Sequence, residues 1–136
     1  MSIVYAREQS LGAADYIAVV GATSMRTRRP LANIPRVTAM LAGSNTIVTA
    51  RESDGGIVGL ARGISDGVWV CYLADLAVRE DHQRRGIGTG LIRAMKDIVG
   101  PGIGIVLMAF PEAADYYRRI GLAEATAFFV DRENRA

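Results

Sequence analysis

The stretch of sequence that decides the fold is LADLAVREDHQRRGIGTGL, residues 73–91. An apolar run that ends at Val78 predicts a strand, and an apolar face of helical spacing predicts a helix from about Ile87 to Val99. Gly86, Gly88 and Gly90 lie where this helix begins. Because glycine lets a ligand approach the main chain, the free N–H groups of such a turn can converge on an anion at the positive end of the helix. The junction therefore predicts a phosphate-binding turn.

A glycine-rich junction can also be a flexible loop before an ordinary helix. Its position between a strand and a helix, directly after Arg84 and Arg85, favours phosphate binding. No Gly-Lys-Ser/Thr follows, so the turn is not a Walker loop. The glycine spacing differs from the dinucleotide-binding fingerprint, and the strand follows a meander and does not open a βαβ unit.

Upstream of this stretch, the pattern predicts one strand, two helices and a meander. Weak strand character covers Ile3–Arg7, and helical spacing of apolar residues covers Leu11–Met25, with Gly21 as a weak point, and then Leu31–Leu41. Three β-rich runs follow, separated by turns that contain Asp-Gly, which is a strong hairpin signal. They predict an antiparallel meander of the segments Thr46–Arg51, Ile57–Ile64 and Val68–Val78.

Downstream, Ile103–Phe110 is apolar without alternation, which is typical of a strand buried on both faces. Pro111 begins a helix that Gly121 ends, and Phe128–Val130 predicts a last strand. The element order is strand, two helices, three antiparallel strands, helix, strand, helix, strand. It predicts a mixed α/β fold on a central sheet.

Residues 73–91 resemble the coenzyme-A-binding motif of the GNAT superfamily of N-acetyltransferases. The family pattern is Gln or Arg, any two residues, Gly, any residue, then Gly or Ala, and Gln83, Gly86 and Gly88 match it. The element order is similar over nearly the whole chain, most loosely in the first 45 residues. The resemblance implies a GNAT fold, with a mostly antiparallel central sheet, a splayed pair of parallel strands and flanking helices.

The resemblance also implies acetyl-CoA as co-substrate, with no metal. The main-chain N–H groups of Arg84 to Thr89 would hold the pyrophosphate, with Gly90 allowing close packing, and the main chain of Leu76 to Val78 would pair with the pantetheine arm. The predicted cofactor-binding residues are Leu76, Ala77, Val78, Gln83, Arg84, Arg85, Gly86, Ile87, Gly88, Thr89, Gly90 and Tyr116.

A second segment, residues 113–122, is similar to another signature of the family: an Ala, an aromatic-Tyr pair three residues later, then Gly and an apolar residue. By that match Tyr117 is the general acid that protonates the coenzyme A sulfur. The alternative is that Tyr116 and Tyr117 form the buried side of a helix, where only one of two adjacent side chains need face the core. The family often has Asn before this helix, and here Phe110 stands there.

Asp75 is the candidate base, because it interrupts an apolar strand beside the expected thioester. The alternative is that it pairs with an arginine or caps backbone groups. His82, the one histidine, lies before the phosphate turn and suits solvent or a cofactor phosphate better than catalysis. Cys71 stands alone in an apolar stretch, which is typical of a buried thiol.

The resemblance implies that the acceptor enters between the first two helices and the central strands. Arg28, Arg29 and Tyr72 are the predicted substrate-binding residues, and arginines there, including Arg26, would suit an acceptor with a carboxylate or phosphate near its amine. A solvated basic turn is the alternative. We expect a small-molecule amine acceptor; a non-catalytic acyl-CoA sensor and a protein N-acetyltransferase are the competing hypotheses.

Composition sets outer limits on function. A formal charge of +2 gives no bulk attraction to nucleic acid or to an acidic membrane surface. The length fits one domain over residues 1–136, and a single cysteine gives no disulfide framework. The N-terminus shows no secretion signal and no apolar run could span a bilayer, so a cytoplasmic location is expected. The apolar Ala127–Val130 segment is a candidate edge for a homodimer.

Overall fold

A five-stranded sheet forms the centre of the computed structural model, which describes residues 2–136. The strands are β1 (Ile3–Arg7), β2 (Thr46–Glu52), β3 (Ile57–Ser65), β4 (Val70–Val78) and β5 (Gly104–Val106). They lie side by side in chain order, each antiparallel to the next except β4 and β5, which are parallel. The predicted GNAT fold class, mixed α/β with a mostly antiparallel sheet and one parallel pair, is confirmed.

The predicted meander corresponds to β2, β3 and β4, within two residues at each end. Gly55 and Gly67 occupy the two turns with φ of +90° and +77°, a region that side chains with a Cβ rarely adopt. In the second turn the Asp66 carboxylate accepts the N–H groups of Val68, Trp69 and Val70. These turns fix the register in which neighbouring strands pair.

Helices cover both faces of the sheet. They are α1 (Ala13–Val20), α2 (Ile34–Ala42), α3 (Ile87–Val99) and α4 (Ala114–Arg119). The helices α1 and α2 bury Tyr16, Val20 and Val37 in one apolar cluster, whereas α3 buries Leu91 and Met95 in a second. Within residues 2–136, no helix is both long and apolar enough to cross a membrane.

The helix α3 has the predicted bounds, but the first predicted helix is shorter than Leu11–Met25. It ends at Val20 because Gly21 closes it, and a 3₁₀ turn over Ser24–Thr27 follows, capped by the Thr23 side chain. The second helix begins three residues later than predicted, since the Asn33 side chain caps it and Pro35 lies in its first turn.

Two predicted strands need correction. The run Ile103–Phe110 was expected to be buried on both faces, yet only Gly104–Val106 is a strand, and Val106 is 51% exposed. The strand β5 lies at the edge of the sheet, and Gly104 and Val106 on one of its faces are exposed, whereas Ile105 on the other face is half-buried. Phe128–Val130 forms no strand and is exposed, because no described strand lies beside it to accept its backbone hydrogen bonds.

Candidate active site

A cleft opens where β4 and β5 separate. The two strands pair only from Val70 to Tyr72 on β4. Beyond that point residues 73, 74 and 76–78 on one strand and 107–110 on the other side line a cavity of about 680 Å³. The register between β3 and β4 shifts here, so that Ala74 has no partner on β3. Such bulges bend a strand and redirect its side chains. The volume is within the range of cofactor sites.

The N-terminus of α3 lies at one end of this cleft. Gly86 caps the helix with φ of +77° and has no side chain to bond the first N–H groups. The first intrahelical bond runs from the Gly90 N–H to the Gly86 carbonyl, so the N–H groups of Ile87, Gly88 and Thr89 have no acceptor within residues 2–136. These groups and the helix dipole suit a pyrophosphate.

The segment before α3 is held in a strained turn. Arg84 has φ of +65°, and it is the one described residue other than glycine with a positive φ. Left-handed residues beside a helix start turn successive N–H groups inward, which makes an anion-binding concavity. The Gln83 side chain fastens the turn to β4 by donating to the Val78 carbonyl at 3.2 Å. The geometry of this turn suits a phosphate group.

His82 lies between two carboxylates. Its Nδ1 is 2.8 Å from Asp81 Oδ1 and its Nε2 is 3.0 Å from Glu52 Oε1, with the side chain 14% exposed. Sequence analysis placed it toward solvent or a cofactor phosphate. Although it touches the cleft, both ring nitrogens are engaged, so its role in the described chain is to fasten the turn after β4 to the end of β2.

Tyr116 and Tyr117, predicted to bind the cofactor and to act as general acid, both line the cleft. The helix α4 is six residues long and buries none of them, so neither ring is sequestered in the core. Their rings meet edge to face with centroids 5.2 Å apart. Burial raises the pKa of Tyr117 and the neighbouring Tyr116 adds to this, so the Tyr117 hydroxyl keeps its proton at neutral pH.

Asp75 is 1% exposed and fully engaged. Its Oδ1 accepts from Arg29 Nε at 2.6 Å, and its Oδ2 accepts from Arg62 Nε at 2.6 Å and from the Tyr16 hydroxyl at 2.5 Å. Burial alone would raise the pKa of Asp75, but the charges of Arg62 and Arg29 and the hydrogen bonds outweigh it and hold the pKa below its usual range. This geometry favours the arginine-pairing alternative over a role as base.

Arg62 and Tyr16 were not among the site residues predicted from the sequence. Arg62 on β3 is the direct register partner of Asp75 on β4, and it is 7% exposed. The available signal was a pair of opposite charges, each interrupting an apolar strand of the same meander. Tyr16 gave no such signal, because a tyrosine on an apolar helix face is ordinarily a core residue.

The three predicted substrate-binding residues do not all lie at the cleft. Arg29 lines the cleft, and Arg28 closes one side of it by pairing with Glu112 at 2.7 Å and stacking 3.8 Å above the Phe110 ring. Tyr72 is 39% exposed on the paired part of β4 and does not line the cleft.

Most of the predicted cofactor-binding residues line the same cavity. They are Leu76, Ala77, Val78, Gln83, Arg84, Gly86, Ile87, Gly88 and Tyr116. Thr89 does not line the cavity itself, but its hydroxyl contacts the Tyr116 hydroxyl, which does. Gly90 packs against the Tyr5 ring, where an added Cβ would come within 2.3 Å of ring and hydroxyl atoms. Arg85 does not line the cavity. In the described part of the chain, no three His, Cys, Asp or Glu side chains are grouped as metal ligands.

Solved structures share this fold. A protein of Deinococcus radiodurans R1 described as an acetyltransferase superposes with a TM-score of 0.75 at 23% identity, over 96% of this chain and 88% of its own. An aminoglycoside N-acetyltransferase in complex with CoA gives 0.70 at 16% identity, over 97% and 95%. The ribosomal-protein-alanine N-acetyltransferase of Brucella melitensis biovar Abortus 2308 gives 0.69 at 18%, over 96% and 99%.

A family model defines the relationship more directly. No curated protein gives a significant match to the sequence. The model of the acetyltransferase (GNAT) domain matches residues 43–122, which is more than half of the chain and includes the meander, the glycine turn, α3 and α4. The chain therefore belongs to the GNAT family of acetyltransferases.

Proposed function

We propose that this acetyltransferase is an N-acetyltransferase that transfers the acetyl group of acetyl-CoA to a primary amine of a small molecule. One observation carries the proposal: the uncapped N-terminus of α3 and the protonated Tyr117 hydroxyl line the same cleft. An anion site and a proton donor in one cavity are what a reaction with a phosphate-bearing thioester requires. The likeness to an aminoglycoside N-acetyltransferase supports a small-molecule acceptor.

Acetyl-CoA supplies an activated acetyl group as a thioester. The N–H groups of Ile87, Gly88 and Thr89 bind its pyrophosphate, and the main chain from Leu76 to Val78, on the wall facing β5, binds the pantetheine arm. These contacts use backbone groups, so they orient the thioester independently of most side chains.

Tyr117 donates a proton to the departing sulfur. Its raised pKa keeps the hydroxyl protonated and available as a proton donor. A main-chain N–H near Leu76 stabilises the negative charge that develops on the acetyl oxygen. Two guanidinium groups hold the pKa of Asp75 below its usual range, so its carboxylate is a weak base. The amine therefore loses its proton to water in the cleft, and Asp75 acts by positioning Arg29.

Calorimetric titration with acetyl-CoA tests the cofactor site. Gly86→Glu places a carboxylate and a disfavoured side chain at the cap of α3, so we expect binding to be lost. The matched control is Gly67→Glu, which has the same φ of +77° and the same open surroundings in a turn between β3 and β4. Equal binding by wild type and Gly86→Glu would contradict the assignment of the turn.

Thiol release with pooled primary amines tests the reaction. Amine-dependent release by the wild type, lost in Gly86→Glu, supports N-acetyl transfer. Binding of acetyl-CoA without release from any pool, including pools of short peptides, favours the non-catalytic sensor. Release with peptides alone favours the protein N-acetyltransferase hypothesis.

A further inference from the structure

The three arginines after α1 differ in how their charge is balanced. Arg26 pairs with Glu80 at 3.1 Å and Arg28 pairs with Glu112 at 2.7 Å, so each has a carboxylate of its own. Both pairs are partly exposed to solvent, where ion pairs contribute little to stability. Arg29 has no such exclusive partner.

Arg29 shares Asp75 with Arg62. Both guanidinium groups lie 2.6 Å from the same carboxylate, one on each oxygen, and the third partner, Tyr16, is neutral because its raised pKa keeps it protonated. Two positive charges and one negative charge leave this buried cluster with a net charge of +1. An uncompensated charge beside a cleft favours an anionic ligand.

Arg29 also retains hydrogen-bond donors. Its Nε–H donates to Asp75, one Nη2–H to the Ala74 carbonyl at 2.9 Å and one Nη1–H to the Arg28 carbonyl at 2.7 Å. A guanidinium has five N–H groups, so one hydrogen on each terminal nitrogen has no acceptor within residues 2–136. The side chain is 18% exposed and lines the cleft next to Ala74, at the bulge in β4.

The rest of the cleft offers little to a cationic acceptor. Glu112 is the one carboxylate among the described residues that line it, and Arg28 already neutralises that group. Arg84 and Arg119 line the cavity as well, so the balance of its arginine and carboxylate charges is positive. A polycationic acceptor would therefore find no unpaired carboxylate among the described residues that line this cavity.

We propose that Arg29 binds an anionic group, a carboxylate or a phosphate, carried by the acceptor near its reactive amine. The inference rests on the proposed function and narrows its substrate class to amino acids and other amines that bear an anion. Three hydrogen bonds already hold the guanidinium in place, so it loses little further freedom when a ligand binds. Its two remaining N–H groups therefore form a preorganised site for an anion.

The test compares acids with matched neutral amines. The twenty amino acids are assayed for acetylation against the corresponding amino-acid amides, and phosphoethanolamine against ethanolamine, which separates carboxylate from phosphate. Kanamycin represents polycationic acceptors. We expect the best acidic acceptor, whether it carries a carboxylate or a phosphate, to have a kcat/KM about tenfold or more above that of its neutral counterpart. Hydrogen bonds to a charged group are strong enough to give a difference of this size.

Arg29→Gln should remove this preference, bringing the ratio of acid to neutral kcat/KM close to one. Asp75 then keeps Arg62 and Tyr16, so the cluster becomes neutral and the protein should fold and bind acetyl-CoA like the wild type. The control is Arg93→Gln on the exposed face of α3, outside the cleft, which should keep the preference. Arg29→Lys, which keeps the charge without the fork, should give an intermediate ratio.

Two outcomes overturn the inference while leaving N-acetyl transfer intact: a wild type that uses amides or kanamycin at least as well as acids, and an Arg29→Gln variant that keeps the preference for acids. If no amine is acetylated, the proposed function fails separately. The inference is then decided by calorimetry with the CoA-saturated protein. Tighter binding of acids than amides that depends on Arg29 supports it, and equal or absent binding overturns it.

Discussion

The hydroxyl of Tyr116 on α4 lies 3.1 Å from the hydroxyl of Thr89 in the first turn of α3. The same Tyr116 oxygen covers Gly88, where an added Cβ would stand only 2.6 Å away. The helix that carries Tyr117 is thereby joined directly to the turn expected to hold the pyrophosphate. One hydrogen bond therefore links the proposed cofactor site to the helix that carries the proposed proton donor.

The Tyr116–Thr89 bond should appear as a coupling in a double-mutant cycle. Tyr116→Phe and Thr89→Val each remove one hydroxyl, and the double variant removes both. We expect a coupling of about 0.5–1.5 kcal/mol in the free energy of unfolding, measured in urea, as for a single hydrogen bond. Strictly additive effects of the two substitutions would contradict the bond.

Gly88→Ala should weaken acetyl-CoA binding about tenfold, because the new Cβ displaces the Tyr116 hydroxyl and the end of α4 with it. Isothermal titration gives the dissociation constant. Gly102→Ala is the control, since a Cβ there meets nothing within 4 Å. In a Tyr116→Phe background the nearest ring carbon is 3.4 Å away, so the same substitution should cost less. An equal loss in both backgrounds would argue against the steric explanation.

Tyr117→Phe should lower kcat by a factor of about 10² or more, since it removes the proposed general acid. The dissociation constant of acetyl-CoA should change less than about twofold, because the proposed cofactor contacts come from the backbone of other elements. The raised pKa of Tyr117 places its deprotonation above the ordinary value near 10. The wild type should therefore show no alkaline loss of kcat from this group below about pH 10, and a variant with unchanged kcat would exclude Tyr117 as the acid.

Asp75→Asn should destabilise the protein by about 3–5 kcal/mol at pH 7, because two buried guanidinium groups lose their counter-charge. Urea unfolding measures the difference. Asp97→Asn on the exposed side of α3 is the control and should stay within about 0.5 kcal/mol.

Because the pKa of Asp75 is lowered in the folded protein, we expect the free energy of unfolding to depend on pH. The pKa of Asp75 is lower in the folded state than in the unfolded chain, so its contribution is complete above about pH 4 and is lost as the pH falls through the folded-state pKa. The difference in stability between wild type and Asp75→Asn should shrink over that acidic range. A kcat/KM profile with an acid limb near neutral pH that Asp75→Asn abolishes would instead identify Asp75 as the base.

For the two strands that the structure corrects, the cause lies in tertiary neighbours. Ile103–Phe110 carries the apolar composition of a central strand, but only Gly104–Val106 pairs, at the sheet edge, and Val106 is exposed. Phe128–Val130 has strand propensity and no partner strand among the described residues. Propensity is local, whereas burial and pairing depend on what else is present.

The sequence by itself determined the meander, the glycine turn and α3, because turn glycines, alternation and helical spacing act over a few neighbouring residues. Only the tertiary structure decided which groups surround Asp75 and lower its pKa. These groups are Arg29, Arg62 and Tyr16, which come from three other segments and reach Asp75 through strand register and helix packing. A pKa is set by charges within a few ångströms in space, and distance along the chain carries no such information.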